Sequence, residues 1–222
     1  MPATPVQCFR NAAARLDEVV QEGLRAGCGD CRPRHIVVKP NWVLHETDPA
    51  FPIRALVTDA RLIKAVVEAC LKLFPGADSI RVADCPLQWA DWPQLCQQAG
   101  LTPVIQHFKR NAGDQVAFLD LRREAFAPDA GGFLLAADSV HGDPAGYREV
   151  ALGSRSHLEA LSNQARKFAV NDYRAAVTRS NHGPGHHNYL VSQTVLDADL
   201  FINLPKWKTH QKSALTAALT NL

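Results

Sequence analysis

Residues 200–213 read Leu-Phe-Ile-Asn-Leu-Pro-Lys-Trp-Lys-Thr-His-Gln-Lys-Ser, an apolar run followed by a loop rich in cations. The apolar run predicts a buried strand over 200–204, and Ser213 is a suitable N-cap for a helix with Leu215 and Ala218 on one side. A strand, a loop and a helix in this order form the repeating unit of α/β folds. Free N–H groups at the start of that helix would attract an anion to the loop.

The alternation of strands and helices continues through most of the chain. Strands are predicted at 35–38, 79–83, 103–106, 115–119 and 200–204. Helices are predicted from Asn11 to Gly27, from a cap at Thr58 to Pro75, from Asp91 to Gly100, near 190–198 and from Ser213. This order predicts an α/β fold, a mostly parallel open sheet with helices on both faces. Around 122–180 the pattern fades into a loop-rich insertion with room for antiparallel strands.

The composition is ordinary for one globular domain. The 222 residues are 46% hydrophobic and 21% charged, so we expect a single α/β domain over 1–222. The net charge is only +2, and no basic run alternates with aromatic residues, so a nucleic-acid partner is not expected. Composition leaves the oligomeric state open.

Targeting signals are missing from the sequence as given. Residues 1–15 contain no apolar leader, and no stretch approaches the roughly 18 apolar residues of a membrane span, so a cytoplasmic protein is expected. The six cysteines are then expected to be free thiols, and the single C-x-x-C pair, Cys28 and Cys31, is assigned to a loop. The chain stops at Leu222 inside a helical pattern, which indicates a truncated gene product or fragment.

Polar residues follow four of the predicted strands. They are Lys39-Pro40-Asn41, Asp84-Cys85-Pro86, Asp120-Leu121-Arg122 and Pro205-Lys206. In an open parallel sheet the carboxyl ends of the strands meet at one edge, and ligands bind in the crevice there. Alternatively, Asp120 and Arg122 form a simple ion pair, and Lys39 pairs with a buried acid such as Asp84.

The stretch Asn181–Asn188 brings three histidines into one loop. Three hypotheses remain open for it. His186 and His187 could bind a divalent metal, His186 or His187 could carry a proton near neutral pH, or the loop could be polar without further function. No Gly-x-Gly-x-x-Gly follows a strand, and no Walker loop or Gly-x-Ser-x-Gly elbow is present, so a nucleotide cofactor is not supported.

Several ordered motifs resemble the family called domain of unknown function 362. They are Lys39-Pro40-Asn41-Trp42, Asp84-Cys85-Pro86-Leu87-Gln88, Asp120-Leu121-Arg122, Gly142–Tyr147 and 195–210, and the resemblance covers about 34–222. It implies no established activity. Some relatives carry iron–sulfur clusters on a ferredoxin-like cysteine run that this sequence lacks, so no four-cysteine cluster is expected. The branch it resembles tends to be encoded near polysaccharide biosynthesis genes.

The sequence departs from that family pattern in two places. Thr220 stands where similar proteins often have lysine, and a further segment with histidine and acidic motifs would lie beyond Leu222. The resemblance therefore implies an incomplete active site.

The leading hypothesis is an enzyme of unassigned reaction that binds a small anionic metabolite, either a carboxylate or a phosphorylated sugar derivative. The residues expected to bind substrate are Lys39, Asn41, Gln88, Asn203, Lys206 and Lys208. Asp84, His210 and His186 are expected to transfer protons. One alternative is a non-catalytic metal- or anion-binding module, with His186 and His187 as ligands and a link to iron–sulfur or redox chemistry. Another is an inactive truncated paralogue.

Overall fold

A computed structural model describes residues 16–125, 138–169, 175–210, 214–218 and 221. These residues form two compact units, each assembled from separate stretches of the chain. The first unit comprises Met1–Asp84, Asp91–Leu119 and Ala198–Leu222, and the second comprises Cys85–Ala90 and Asp120–Asp197. The helix starts predicted at Asn11 and Ser213 lie outside the described residues.

The described helices and strands are numbered in chain order. The helices are α1 (Leu16–Cys28), α2 (Ile53–Leu56), α3 (Ala60–Leu73), α4 (Trp92–Gln98), α5 (Leu101–Asn111), α6 (Ala175–Asn181) and α7 (Gln193–Leu196). The strands are β1 (His35–Pro40), β2 (Ser79–Asp84), β3 (Val116–Asp120), β4 (Glu124–Ala125), β5 (Asp138–Ser139), β6 (Tyr147–Ala151), β7 (His182–Gly183), β8 (His186–Ser192), β9 (Leu200–Leu204), β10 (Lys208–His210) and β11 (Ala214–Thr216).

The first unit is built on a four-stranded sheet in the order β3, β2, β1, β9. Strand β1 pairs in parallel with both β2 and β9. The carboxyl ends of these three strands therefore lie at the same edge, with Lys39 opposite Asn203 in the register. Helices flank this sheet, so the predicted α/β fold is confirmed.

The core of the first unit joins the sheet to α3. Ile63 and Val67 of α3 are completely buried, as are Val38 of β1 and Ile80 of β2. Burying one such side chain stabilises a fold by roughly 1.5–3 kcal/mol, so this contact fixes α3 on the sheet. Helix α1 packs against α3, as its apolar spacing predicts.

The N-cap of helix α3 lies one residue later than predicted. The N-cap is Asp59, whose carboxylate accepts a hydrogen bond from the N–H of Arg61. Thr58 instead uses its hydroxyl to accept from the N–H of Asn41 and to donate to the carbonyl of Leu204. The hydroxyl of Thr58 thus ties the chain after β1 to the end of β9.

The strand predicted at 103–106 is wrong, because this stretch lies inside α5. Pro103 does not interrupt this helix because it occupies the first turn, where the backbone N–H groups have no partner within the helix. Leu101, Val104 and Phe108 are buried at helical spacing.

Two further helix predictions are also wrong. A helix is expected near 190–198, but the residues up to Ser192 belong to strand β8. Only the four residues of α7 are helical in this stretch. After Ser213 the chain forms β11, which pairs antiparallel with β10, so that Lys208 lies opposite Thr216. Pairing with a neighbouring strand has overridden the local helical spacing in both places.

The second unit contains the antiparallel strands that the insertion had room for. Strand β8 pairs antiparallel with β6 on one side and with β7 on the other. A shorter antiparallel ribbon joins β4 and β5, and a run of 3-10 turns covers His157–Lys167. Strands and turns of this kind explain why helical periodicity disappears from this part of the sequence.

No helix in the described part of the chain is long and apolar enough to cross a membrane. Five cysteines within that part form no disulfide with one another, namely Cys28, Cys31, Cys70, Cys85 and Cys96. Burial raises the pKa of Cys70 to about 12, which keeps this core thiol protonated and unreactive.

Candidate functional site

Lys39 and Asp84 form an ion pair at the carboxyl ends of β1 and β2. Lys39 Nζ lies 2.6 Å from Asp84 Oδ1, and the two side chains are only 17% and 6% exposed. The second carboxylate oxygen of Asp84 accepts a hydrogen bond of 2.6 Å from the N–H of Trp42. Asp84 therefore neutralises Lys39 and also holds the chain that leaves β1.

Two asparagines extend this group toward β9. Asn221, which is 3% exposed, donates through Nδ2 to Asn203 Oδ1 at 2.6 Å and to the carbonyl of Lys39 at 3.3 Å. Asn221 Oδ1 lies 3.4 Å from Lys39 Nζ. Asn203 in turn donates to the carbonyl of Ala218 at 2.8 Å. Lys39, Asp84 and Asn203 thus come together, and Asn221 joins them although the sequence did not single it out.

Asn41 lies directly after β1 at the same edge. Its backbone N–H is held by the hydroxyl of Thr58 at 2.8 Å. Its side-chain Oδ1 is buried and accepts no hydrogen bond within the described residues. Buried acceptors without a hydrogen bond are uncommon in folded proteins, so a bound water, an ion or a ligand group is a natural partner for this oxygen.

Lys206 and Lys208 reach the carbonyl end of α2. Lys206 Nζ donates to the carbonyl of Arg54 at 2.6 Å, and Lys208 Nζ donates to the carbonyl of Leu56 at 2.5 Å. Carbonyls at a helix end have no partner inside the helix, so both ammonium groups satisfy acceptors there. The sequence identified these lysines but not their partners, because the partners are backbone atoms of a four-residue helix about 150 positions earlier.

The charges at this edge influence one another. The pKa of Lys208 is lowered to about 8, first by burial and then by the positive charge of Lys206, while the carboxylate of Asp84 opposes this change. Charges interact appreciably only within about 10 Å in salt solution. Lys206, Lys208 and Asp84 therefore share one electrostatic neighbourhood.

Two further predicted site residues are His210 and Gln88. His210 belongs to the first unit and is exposed on β10, opposite Ala214 of β11. Gln88 belongs to the second unit, where it is 5% exposed. We therefore describe the lysine edge of the first unit, comprising Lys39, Asp84, Asn203, Lys206 and Lys208, without Gln88.

Asp120 and Arg122 form an ion pair, as the alternative interpretation of their motif predicts. Arg122 Nη2 lies 2.6 Å from Asp120 Oδ2, and the arginine side chain is only 1% exposed. Arg122 Nη1 also donates to the carbonyls of Leu87, Gln88 and Ala90 at 2.7–3.0 Å. With its donors used in this way, Arg122 holds the segment Cys85–Ala90 within the second unit.

The structure does not bring His186 and His187 together. They are neighbours on β8, where successive side chains point to opposite faces. His186 is exposed, and its Nε2 lies 3.1 Å from the carbonyl of Ser180. His187 is completely buried, and its Nε2 lies 2.8 Å from Ser162 Oγ. Among the described residues, no group of three or more histidine, cysteine or acidic side chains is arranged to hold a metal ion.

A cavity is present in each unit. A cavity of about 120 Å³ beside α2 is lined in part by Arg54 and Thr58. The carbonyl of Arg54 accepts from Lys206, and the hydroxyl of Thr58 accepts from the N–H of Asn41. The acidic residue Asp59 also lines this cavity, and the described lining includes no residue of the lysine edge. A larger cavity of about 350 Å³ lies in the second unit, lined in part by Cys85, Arg123 and Tyr147.

Comparison with known proteins gives a family but no described relative. The model of the family described as Domain of unknown function (DUF362) matches residues 36–140 and 129–222. No curated protein and no solved structure matches the chain.

Proposed function

The chain belongs to the family Domain of unknown function (DUF362), and since that description assigns no activity, we propose a function from the site geometry alone. The protein binds a small anionic metabolite, a carboxylate or a phosphorylated sugar derivative, at the lysine edge. It acts on this metabolite as an enzyme. The observation that carries the proposal is the grouping of Lys206 and Lys208 on neighbouring carbonyls of α2, where the charge of Asp84 also acts on Lys208.

The charges of the lysine edge favour an anion. Three lysines and one carboxylate leave two positive charges among these four groups, and Lys208 is buried enough for its charge to be unfavourable. Lys206 and Lys208 donate to neutral carbonyls, which are weaker acceptors than a carboxylate or phosphate. An anion that replaces those carbonyls would strengthen both hydrogen bonds and relieve the repulsion between the two lysines.

Asn203 of the lysine edge and two nearby asparagines, Asn41 and Asn221, fit supporting roles. Asn41 Oδ1 and the Asn203 amide could orient a ligand hydroxyl or carbonyl, while the Lys39–Asp84 pair is held in place by Asn221. Lys208, with its pKa near neutrality, joins Asp84 and His210 as a group of the first unit able to transfer a proton.

Replacing Lys206 or Lys208 with methionine is expected to weaken anion binding while the fold is kept. Each charge-assisted hydrogen bond contributes about 1.5–3 kcal/mol, which corresponds to a loss of roughly 10- to 150-fold in affinity. Isothermal titration calorimetry with citrate, inorganic phosphate and glucose 1-phosphate measures this. Lys72→Met is the matched control, since Lys72 is exposed in the last turn of α3, before β2 begins at the opposite edge of the sheet. Unchanged affinity in both variants, or an equal loss in Lys72→Met, would rule out the lysine edge.

Anion binding should also take up protons near pH 8. The free Lys208 ammonium is half deprotonated at its pKa of about 8, and a bound anion favours the charged form and so raises that pKa. Affinity should therefore fall as the pH rises through about 8. Calorimetry at pH 8 in two buffers with different ionisation enthalpies measures the proton uptake. The uptake should disappear in Lys208→Met, and its absence from the unmodified protein would contradict the role of Lys208.

A further inference from the structure

Two histidines of the second unit, His182 and His187, lie in direct contact. His182 of β7 lies directly opposite His187 of β8 in the antiparallel register, so the two side chains share one face of this hairpin. Their Nδ1 atoms are 3.3 Å apart. Tyr189 packs edge-on against the His182 ring, with ring centroids 5.0 Å apart, and helps to fix its orientation.

The other nitrogen of His187 is held by a carboxylate. His187 Nε2 lies 3.2 Å from Glu159 Oε2 and 2.8 Å from Ser162 Oγ. With a proton on Nε2 donated to Glu159, the Nδ1 atom of His187 is left to act as an acceptor or a metal ligand toward His182. Glu159 is itself fixed by the backbone N–H of Gly185 at 2.9 Å. A carboxylate that binds the far nitrogen of a histidine is the usual outer partner of a metal ligand.

The distance between the two Nδ1 atoms can be compared with the values expected for a shared metal ion and for a direct hydrogen bond. A tetrahedral zinc ion with bonds of about 2.0–2.1 Å to two imidazoles places their nitrogens about 3.3–3.4 Å apart. The observed 3.3 Å equals this separation, and it also lies within the range of a direct N–H···N hydrogen bond between the two rings, so the metal titration below distinguishes the two cases.

We propose that His182 and His187 bind one divalent transition metal ion, Zn²⁺ or Cu²⁺, through their Nδ1 atoms, with Glu159 as the outer partner of His187. Because the described residues supply only two ligands here, water or a small anion would complete the coordination. His187 is completely buried and His182 is partly exposed, so the ion would enter from the side of His182. This site lies wholly in the second unit and does not depend on anion binding by the first.

Metal titration of four variants tests the proposal. Protein without a histidine tag, stripped of metal, is titrated with Zn²⁺ by calorimetry and with Cu²⁺ by electron paramagnetic resonance. One equivalent should bind, and the copper spectrum should show coupling to two nitrogens. His182→Ala and His187→Ala should abolish this binding, while Glu159→Gln should weaken it by about 10- to 100-fold.

His186→Ala is the matched control, because His186 lies in the same hairpin with its side chain on the opposite face. It should bind metal like the unmodified protein. His182→Ala keeps the test valid if the His187 variant does not fold, since His182 is only partly buried. The proposal fails if the unmodified protein binds no stoichiometric metal, if His182→Ala still binds it, or if His186→Ala loses it.

Discussion

Replacing Asp84 with alanine is expected to lower the free energy of unfolding of the first unit by about 3–5 kcal/mol. The change leaves the ammonium of Lys39, a side chain only 17% exposed, without its counter-charge. It also leaves the buried N–H of Trp42 without its acceptor. Urea unfolding followed by tryptophan fluorescence measures the loss, because Trp42, Trp92 and Trp207 all belong to the first unit.

A second substitution separates the charge effect from general damage to the core. In Asp84→Ala combined with Lys39→Met no unpaired charge remains at the site, so part of the lost stability should return. Residues in direct contact show coupling energies of about 0.5–3 kcal/mol, and we expect a value in this range. A loss of less than about 1 kcal/mol in Asp84→Ala, or strictly additive effects in the double variant, would show that the pair does not organise the site.

Replacing Arg122 with methionine is expected to destabilise the second unit by a similar amount, about 3–5 kcal/mol. The guanidinium is almost completely buried and donates both to Asp120 and to the carbonyls of Leu87, Gln88 and Ala90. Methionine fills much of the same space but leaves these acceptors without donors. Lysine would not substitute well either, since it lacks the planar fork that reaches several acceptors at once.

Arg123→Met is the matched control for that experiment. Arg123 is the next residue, is exposed, and lies 5.8 Å from the centroid of the Tyr147 ring, a contact that contributes about 0.5–1 kcal/mol. Hydrogen exchange should show faster opening of Cys85–Ala90 in Arg122→Met and little change in Arg123→Met. Equal stability of the two variants would contradict the structural role of Arg122.

Local sequence patterns predicted the fold where they agreed with tertiary packing. The strands near 35–38, 79–83 and 200–204 were predictable because each is a short apolar run between turn residues. The strand predicted at 103–106 failed because these residues belong to the helix Leu101–Asn111, in which Pro103 lies in the first turn, where a proline is tolerated. The strand β11 was missed because only its partner β10 decides that Ala214–Thr216 is extended.

The candidate site was predictable to the extent that it follows from sheet topology. Lys39 and Asp84 could be paired from sequence because parallel strands bring their carboxyl ends to one edge. Asn221 and Thr58 were not identified as site residues, because nothing in their neighbouring sequence shows that they return to that edge. Likewise, the Nδ1 contact of His182 with His187 depends on the hairpin register and not on sequence spacing alone.

Lysine-selective NMR tests the anion site most directly. Reductive methylation with ¹³C labels each lysine and keeps its positive charge, so the Lys206, Lys208 and Lys72 signals can be followed during titration with citrate or glucose 1-phosphate. We predict that the signals of Lys206 and Lys208 shift together, that the pKa of Lys208 rises from about 8, and that Lys72 is unaffected. If every anion leaves the Lys206 and Lys208 signals in place, or shifts Lys72 equally, the lysine edge is not an anion-binding site.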